Sequence, residues 1–233
     1  MASLKNIVNK AVLIAGSVLA LNGCSVDRTD ISSKLEARIS EYSQNNKNKN
    51  DNNNKIEEDY SLKLDLYRYN RWIERTIKTS LEEKSSVIVV DKSKYELNLY
   101  DKGSLVKKYN IELGYDPVNR KLVQGDNKTP EGFYRIVKKR TKTRYYRALL
   151  LDYPNLTDKA RFERARLNNE ITDSDKIGNL IEIHGNGSGR KGNDGGRNWT
   201  LGCIALSDED MDDLFKRVKN ETLVTIVRFS DLD

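Results

Sequence analysis

The chain has 233 residues, enough for one ordinary domain with extensions or for two small ones, with a single core as the default. Apolar residues at 37% and charged residues at 33% can bury a core while leaving part of the chain in water, and Lys+Arg 41 against Asp+Glu 35 gives a net +6 that favours anionic partners. One His and two Cys exclude a usual four-ligand His/Cys zinc site and allow at most one disulfide; no metal and no cofactor is expected.

Lys5 and Lys10 precede the apolar run Ala11 to Leu21, and no acidic residue appears before Asp27, which is the layout of a secretory signal. The run is too short to cross a bilayer, which takes about 20 residues. Leu21-Asn22-Gly23-Cys24 closes it and resembles a bacterial lipobox, so residues 1–23 read as a lipoprotein signal peptide with Cys24 as the lipidated new N-terminus. An ordinary cleaved signal with a cysteine nearby by chance is the other reading, and both export the protein. Loss of Lys5 and Lys10 would lower the net charge from +6 to +4. Ser25 rather than Asp after the cysteine favours, by resemblance to sorting in double-membraned bacteria, an anchor in the outer membrane facing the periplasm. Several acyl chains hold a protein stably where one does not.

Residues 24–58 read as a disordered Asn/Lys-rich tether, since 43–55 contain no apolar side chain to offset the entropy of ordering. A flexible stretch of roughly 30 residues has an end-to-end distance of about 30 Å, enough to lift a domain off a membrane; an insert with no role in reach is the alternative. Over 59–84, Leu62, Leu66, Ile73, Ile77 and Leu81 recur at steps of four and seven, which predicts an amphipathic helix from about Tyr60 to Glu83 whose apolar stripe docks on the domain C-terminal to it. From Ser86 the period becomes two: Val87 and Val89, then Tyr95, Leu97 and Leu99, with a turn at Asp101-Lys102-Gly103 before Leu105 to Leu113. Further strands are expected at 133–138, 148–151, 180–183 and 222–229, and short helices at 158–167 and 207–218, the last capped by Ser207. Residues 85–233 are therefore a mainly β domain with helices inserted late.

With Cys24 consumed by lipid, Cys203 is the only thiol left in an exported protein, where an unpaired cysteine risks oxidation. A lone cysteine is often a small buried hydrophobe. Here Gly202 precedes it, Ile204-Ala205-Leu206 reads as a short buried strand, and the sole His ends the run Leu180-Ile181-Glu182-Ile183-His184. A cysteine attacks as thiolate and needs a base near neutrality, and His184 is the only imidazole to serve. Its second nitrogen needs an acceptor, for which the Gly185 carbonyl is the candidate.

His184-Gly185 followed by Thr200-Leu201-Gly202-Cys203 resembles the signature of the L,D-transpeptidase catalytic domain (YkuD type). Gly125-Asp126-Asn127-Lys128-Thr129-Pro130-Glu131-Gly132 looks like that family's Gly-Asp-x-x-Thr-Pro-x-Gly turn, and Tyr153-Pro154-Asn155 with Asp158 resembles the YafK-like branch. The resemblance implies a β-sandwich-like catalytic domain acting on peptidoglycan stem peptides. In it Cys203 attacks the carbonyl of the L-centre of diaminopimelate in a tetrapeptide, expelling D-alanine and forming a thioester that an amine resolves. His184 is then the general base and later acid, the Gly185 carbonyl orients the ring, and amides near Thr200, Leu201, Gly202 and Cys203 form the oxyanion hole. Many members carry His before the Gly-Cys pair and Arg two residues after the cysteine, where this chain has Leu201 and Ala205. The missing Arg keeps open a hydrolase that trims or cuts with water at the same site, and a non-catalytic lipoprotein that binds peptidoglycan.

Arg135, Lys138, Lys139, Arg140, Lys142, Arg144 and Arg147, interleaved with Tyr145 and Tyr146, could gather carboxylate-rich stems or simply be a solvated strand face. An exported lipoprotein is not expected to meet nucleic acid. The glycine-rich stretch 185–196 lacks the spacing of a phosphate loop and reads as a flap, with Trp199 as a packing anchor. Protein partners are not legible in the chain.

Overall fold

The computed structural model describes residues 50–187 and 198–231, with side chains from residue 61. The chain divides after Tyr60 into two compact units. Of the first only helical backbone is described, so the signal segment, Cys24, most of the tether and much of the 185–196 stretch lie outside the described residues.

Helix α1 runs Asn50–Glu82 and so takes in the last nine residues read as tether. The Lys55-Ile56-Glu57-Glu58 stretch is made of helix formers or near-neutral residues and carries the helix back from Tyr60. Within 61–233 the helix docks by a stripe that keeps Ile73 and, partly buried, Ile77 of the expected one. Tyr69, Ile73, Thr76 and Ser80 are buried, whereas Leu62 and Leu81 are more than half exposed. The small polar pair lets the helix approach closely: Thr76 Oγ1 lies 2.6 Å from Thr225 Oγ1, and Ser80 Oγ donates to the Ser85 carbonyl at 2.5 Å.

Eight strands follow: β1 (Ser86–Asp91), β2 (Glu96–Asp101), β3 (Ser104–Asn110), β4 (Gly132–Thr143), β5 (Tyr146–Leu151), β6 (Glu182–His184), β7 (Ile204–Ala205) and β8 (Leu223–Val227). Helix α2 (Leu156–Leu167) lies between β5 and β6, and α3 (Asp208–Arg217) between β7 and β8. The strand order is β3-β2-β1-β8-β4-β5-β6-β7. The β1/β8 and β6/β7 pairs are parallel and the rest antiparallel.

Strand β4 joins the two halves of this mainly β domain. Gly132 to Arg135 pair with β8 and Ile136 to Thr143 with β5, with the register shifting at Ile136/Lys138. It runs five residues past the expected end at Lys138, because its continuation lies on β5 as a hairpin closed at Thr143/Tyr146. Strand β1 is buried on both faces rather than alternating. Ile88 and Val90 join the main core with Leu97, Tyr134, Ile183, Ile204, Leu214 and Ile226, while Val89 joins Tyr69, Ile73 and Val227 under α1. A strand covered on both faces reads as a continuous apolar run, which Val87-Ile88-Val89-Val90 is.

Helix α3 begins where its cap predicts. Ser207 Oγ accepts the Asp210 N–H at 3.1 Å, and Asp208, Glu209 and Asp210 occupy the first turn at the positive end of the dipole. Met211, Leu214 and Phe215 turn into the core. No helix among the described residues is long and apolar enough to cross a membrane.

Candidate active site

Parallel pairing of β6 with β7 sets Ile183 against Ile204 and His184 against Ala205. Ile183 and Ile204 are both in the core, so alternation turns Glu182 and His184 to the opposite face, together with Cys203, the residue before Ile204. The two elements carrying the sole imidazole and the described thiol are thus neighbours, as their sequence context suggested.

The turn that presents Cys203 is built from inside. Thr200 is 3% exposed, its N–H donates to the Leu113 carbonyl at 3.1 Å, and its carbonyl accepts the Tyr115 N–H at 3.1 Å. Its hydroxyl accepts the Gly202 N–H at 3.2 Å and donates to the Cys203 carbonyl at 2.7 Å. Thr200 is therefore a brace within the turn, and the Gly202 N–H is already engaged. The Leu201 and Cys203 amides remain as oxyanion candidates, with the Leu201 side chain 71% exposed beside them.

Gly202 has φ +127°, and a Cβ there would lie 2.6 Å from the Lys128 carbonyl oxygen. Backbone approach this close admits only glycine. It also explains why the two motifs travel together: the Gly125–Gly132 turn is the wall against which the cysteine turn packs. Asp126 holds that wall, accepting the N–H groups of Leu122, Val123 and Lys128 at 2.7, 3.0 and 3.1 Å and the Lys121 ammonium at 2.9 Å. Burial alone would raise its pKa, but these donors outweigh it and hold the carboxyl below its usual range.

His184 is 2% exposed. Its Nδ1 lies 2.7 Å from the Gly185 carbonyl, so Nδ1–H donates and the Nε2 lone pair is left free. Tyr145 stacks on the imidazole with centroids 4.6 Å apart, and Trp199 meets it edge-on at 5.7 Å. Burial pushes the imidazole below its usual pKa, against the Gly185 hydrogen bond and the Glu182 charge, which raise it. The ring is neutral at pH 7, the form a general base requires.

Cys203 is half-buried, and its thiol donates to the Leu180 carbonyl at 3.5 Å while accepting the Glu182 N–H at 3.4 Å. Burial pushes the thiol up to about 11, against the Glu182 amide, which lowers it. A thiol so raised keeps its proton at pH 7, and it makes no hydrogen bond to the imidazole among the described residues.

Several neighbours carry no mark in the sequence. The Leu180 carbonyl and Glu182 amide are backbone groups, and Trp199, read as a packing anchor, hydrogen-bonds through Nε1 to the buried Glu112 carboxylate as well as flanking His184. Tyr145 stood only as part of a basic run. That run is largely structural: Lys139 donates to the Phe215 and Val218 carbonyls at the end of α3, Arg140 pairs with Glu182 at 2.7 Å, Arg147 with Asp212 at 2.8 Å, and Arg135 donates to the Glu221 carbonyl. Arg144 lies over the Tyr145 ring at 5.5 Å, on the tyrosine that stacks on the imidazole. Ala205, where many relatives were expected to carry Arg, is fully buried in β7.

The chain is 26% identical over 152 residues to YafK of Escherichia coli strain K12, whose name places it among the L,D-transpeptidases; the match takes in 63% of this chain and 52% of that protein. The chain thus spans about half the length of the curated relatives it matches. Among solved structures it is similar to the helical cell shape determining protein Pgp2 of Campylobacter jejuni, with TM-score 0.47, 24% identity and coverage of 64% and 49% of the two chains. It is also similar to Bd1075 of Bdellovibrio bacteriovorus, with TM-score 0.44, 23% identity and coverage of 64% and 50%. The family model of the YkuD L,D-transpeptidase catalytic domain matches residues 85–226, and to that family the chain belongs.

Proposed function

We propose that the protein is a peptidoglycan L,D-transpeptidase that uses Cys203 as nucleophile and His184 as its base. The observation carrying this reading is the orientation of the imidazole: with Nδ1–H held by Gly185, the Nε2 lone pair is free on the sheet face that also bears Cys203. Turnover asks the thiol to leave the Leu180 carbonyl and turn to His184, which the register of β6 and β7 places diagonally from Cys203, two residues beyond the Glu182 that lies opposite it.

His184 Nε2 then takes the thiol proton as Sγ bonds to the carbonyl carbon of the diaminopimelate L-centre. The oxyanion falls to the Leu201 and Cys203 amides, where one donor is worth roughly 100- to 1000-fold in rate. Collapse breaks the C–N bond, the imidazolium returns its proton to the departing D-alanine amine, and a thioester remains. An acceptor amine attacks it, gives its proton to His184, and releases the sulfur, which recovers that proton. Export and lipid anchoring at Cys24, on the periplasmic side of the outer membrane, belong to the same proposal and rest on the N-terminal sequence alone.

One observation supports a second reading, a carboxypeptidase or endopeptidase with water as the acceptor. Ala205 offers no cation at the place where the family resemblance expects a carboxylate contact, so retention of an amine-bearing acceptor has less support there.

Protein incubated with disaccharide tetrapeptide containing diaminopimelate should release D-alanine, and Cys203→Ala should abolish the release. Mass spectra of the products separate the two enzymes, since cross-linked dimers mean transfer and tripeptide monomers mean hydrolysis. Absence of release from the wild type, with the tetrapeptide still bound, would leave a peptidoglycan-binding lipoprotein.

A further inference from the structure

Asn186 is 6% exposed, and among the described residues neither its carboxamide oxygen nor its nitrogen has a hydrogen-bond partner. A carboxamide offers two donors and an acceptor with two lone pairs, and each buried polar group left unmade costs about 1–3 kcal/mol. An apolar side chain of the same size would avoid that cost, so an unpartnered amide in such a place calls for an explanation.

Its position supplies one. Asn186 is two residues beyond His184 and follows Gly185, whose carbonyl fixes the imidazole. On its other side the Gly187 N–H donates to Asp208 Oδ1 at 3.0 Å, and a Cβ on Gly187 would lie 2.7 Å from the Arg144 carbonyl oxygen. The backbone is therefore clamped on both sides of Asn186, against the segment whose Tyr145 ring covers His184. The carboxamide is thus held two residues from the imidazole, buried and with its hydrogen-bonding capacity unused among the described residues.

We infer that Asn186 is a substrate-binding residue whose carboxamide pairs with a backbone amide of the stem peptide. A primary carboxamide and a peptide group are complementary in one plane, the side-chain oxygen accepting the peptide N–H and the side-chain N–H donating to the peptide carbonyl. The pairing replaces two unmade buried bonds by two made ones, so it discriminates strongly between a peptide and an analogue lacking those groups. The inference rests on the proposal that this site takes a tetrapeptide stem, and it assigns Asn186 to recognition rather than to proton transfer.

The test uses the Cys203→Ala protein, which cannot turn over, with free L-Ala-γ-D-Glu-diaminopimelate-D-Ala tetrapeptide as the probe and calorimetry as the readout. Asn186→Leu and Asn186→Ala, each added to it, should weaken binding roughly 10- to 100-fold. The same substitutions in the wild-type background should leave the iodoacetamide labelling rate of Cys203 within twofold, and Asn186→Leu should melt no lower than its parent. Binding by both variants within twofold of the parent overturns the inference while the transpeptidase reading stands. Weakened binding in a protein whose wild type releases no D-alanine supports the inference and removes the transpeptidase reading. No binding by the parent overturns both.

Discussion

Tyr145 lies nearly flat on the His184 imidazole, with ring planes inclined by 23°. The tyrosine comes from the tight connection between β4 and β5, and the histidine ends β6, the strand that pairs with β5 through Ala148 and His184. A hairpin closure thus serves as the cover of the imidazole, with Trp199 completing it at 5.6 Å from Tyr145. The cover sets the proton affinity of the ring, because burial is the leading cause of its depressed pKa.

Tyr145→Ala is therefore expected to raise the His184 pKa toward the ordinary 6.5 by admitting water to the ring. The chain has one histidine, so the imidazole Cε1–H signal in NMR titrates without ambiguity. The acid limb of D-alanine release, where the protonated imidazole cannot act as base, should move upward by the same amount. An unchanged titration would mean that the stacked ring does not shield the imidazole.

The thiol gives a prediction at the other end of the pH scale. Burial raises Cys203 from 9.0 to about 11, so below pH 9 the folded and unfolded chains both hold the proton. Between pH 9 and 11 the unfolded chain ionises first, and folding stability falls. Relative to Cys203→Ala, whose cavity effect does not depend on pH, the wild type should lose on the order of 2 kcal/mol across that interval. Urea unfolding of both proteins at pH 8 and pH 10.5 measures the difference. A gap that is constant with pH would mean that water reaches the sulfur in the folded protein.

The proposed pair was legible because its residue types are scarce in this chain: one imidazole and, Cys24 aside, one thiol, each beside a glycine and a short apolar run, leave few ways to read them. Gly202 was legible for the same reason, since a glycine before a nucleophile marks close backbone approach. The Leu180 carbonyl and Glu182 amide were not, because every residue carries such groups and only the strand register selects these two. The part that the Thr200 hydroxyl plays inside the turn was not legible for want of a direction. The sequence motif names it for its amide, whereas the bridge between Gly114 and Thr200 turns its hydroxyl back into the turn. The cations of β4 and β5 looked free in one dimension because their partners, Glu182, Asp212 and the end of α3, arrive from later in the chain. The docking stripe of α1 was legible in part: Ile73 and Ile77 pack as expected, while Thr76 and Ser80, which hydrophobicity does not mark, fit closer to the sheet than leucines would.

Glu131 carries the last prediction. It occupies the variable place of the Thr-Pro-x-Gly turn and is fully buried, with Oε1 2.9 Å from Lys92 Nζ and 3.4 Å from Arg228 Nε, and with Oε2 accepting the Tyr69 hydroxyl at 2.5 Å. Lys92, 1% exposed, also donates to the Asn119 and Thr129 carbonyls at 2.9 and 3.3 Å. The cluster ties α1 to β1 and to the turn that backs Gly202. Burial would raise the carboxyl pKa, but Lys92 and the Tyr69 hydroxyl outweigh it and hold it below 4.5. A depressed carboxyl contributes stability that is present above its ordinary pKa and lost as pH falls through the folded value. Removing one partner of a buried pair strands the other charge, at a cost of about 3–5 kcal/mol. Glu131→Gln should lower stability by that amount at pH 7 and remove part of the acid sensitivity expected below pH 4.5. Lys92→Met together with Glu131→Gln should recover much of the loss, because no charge is then left stranded. Urea midpoints for the wild type, both single variants and the double variant at pH 7 and pH 4 decide it; single variants as stable as the wild type would mean that water reaches Lys92 and that the cluster does not tie the helix to the sheet.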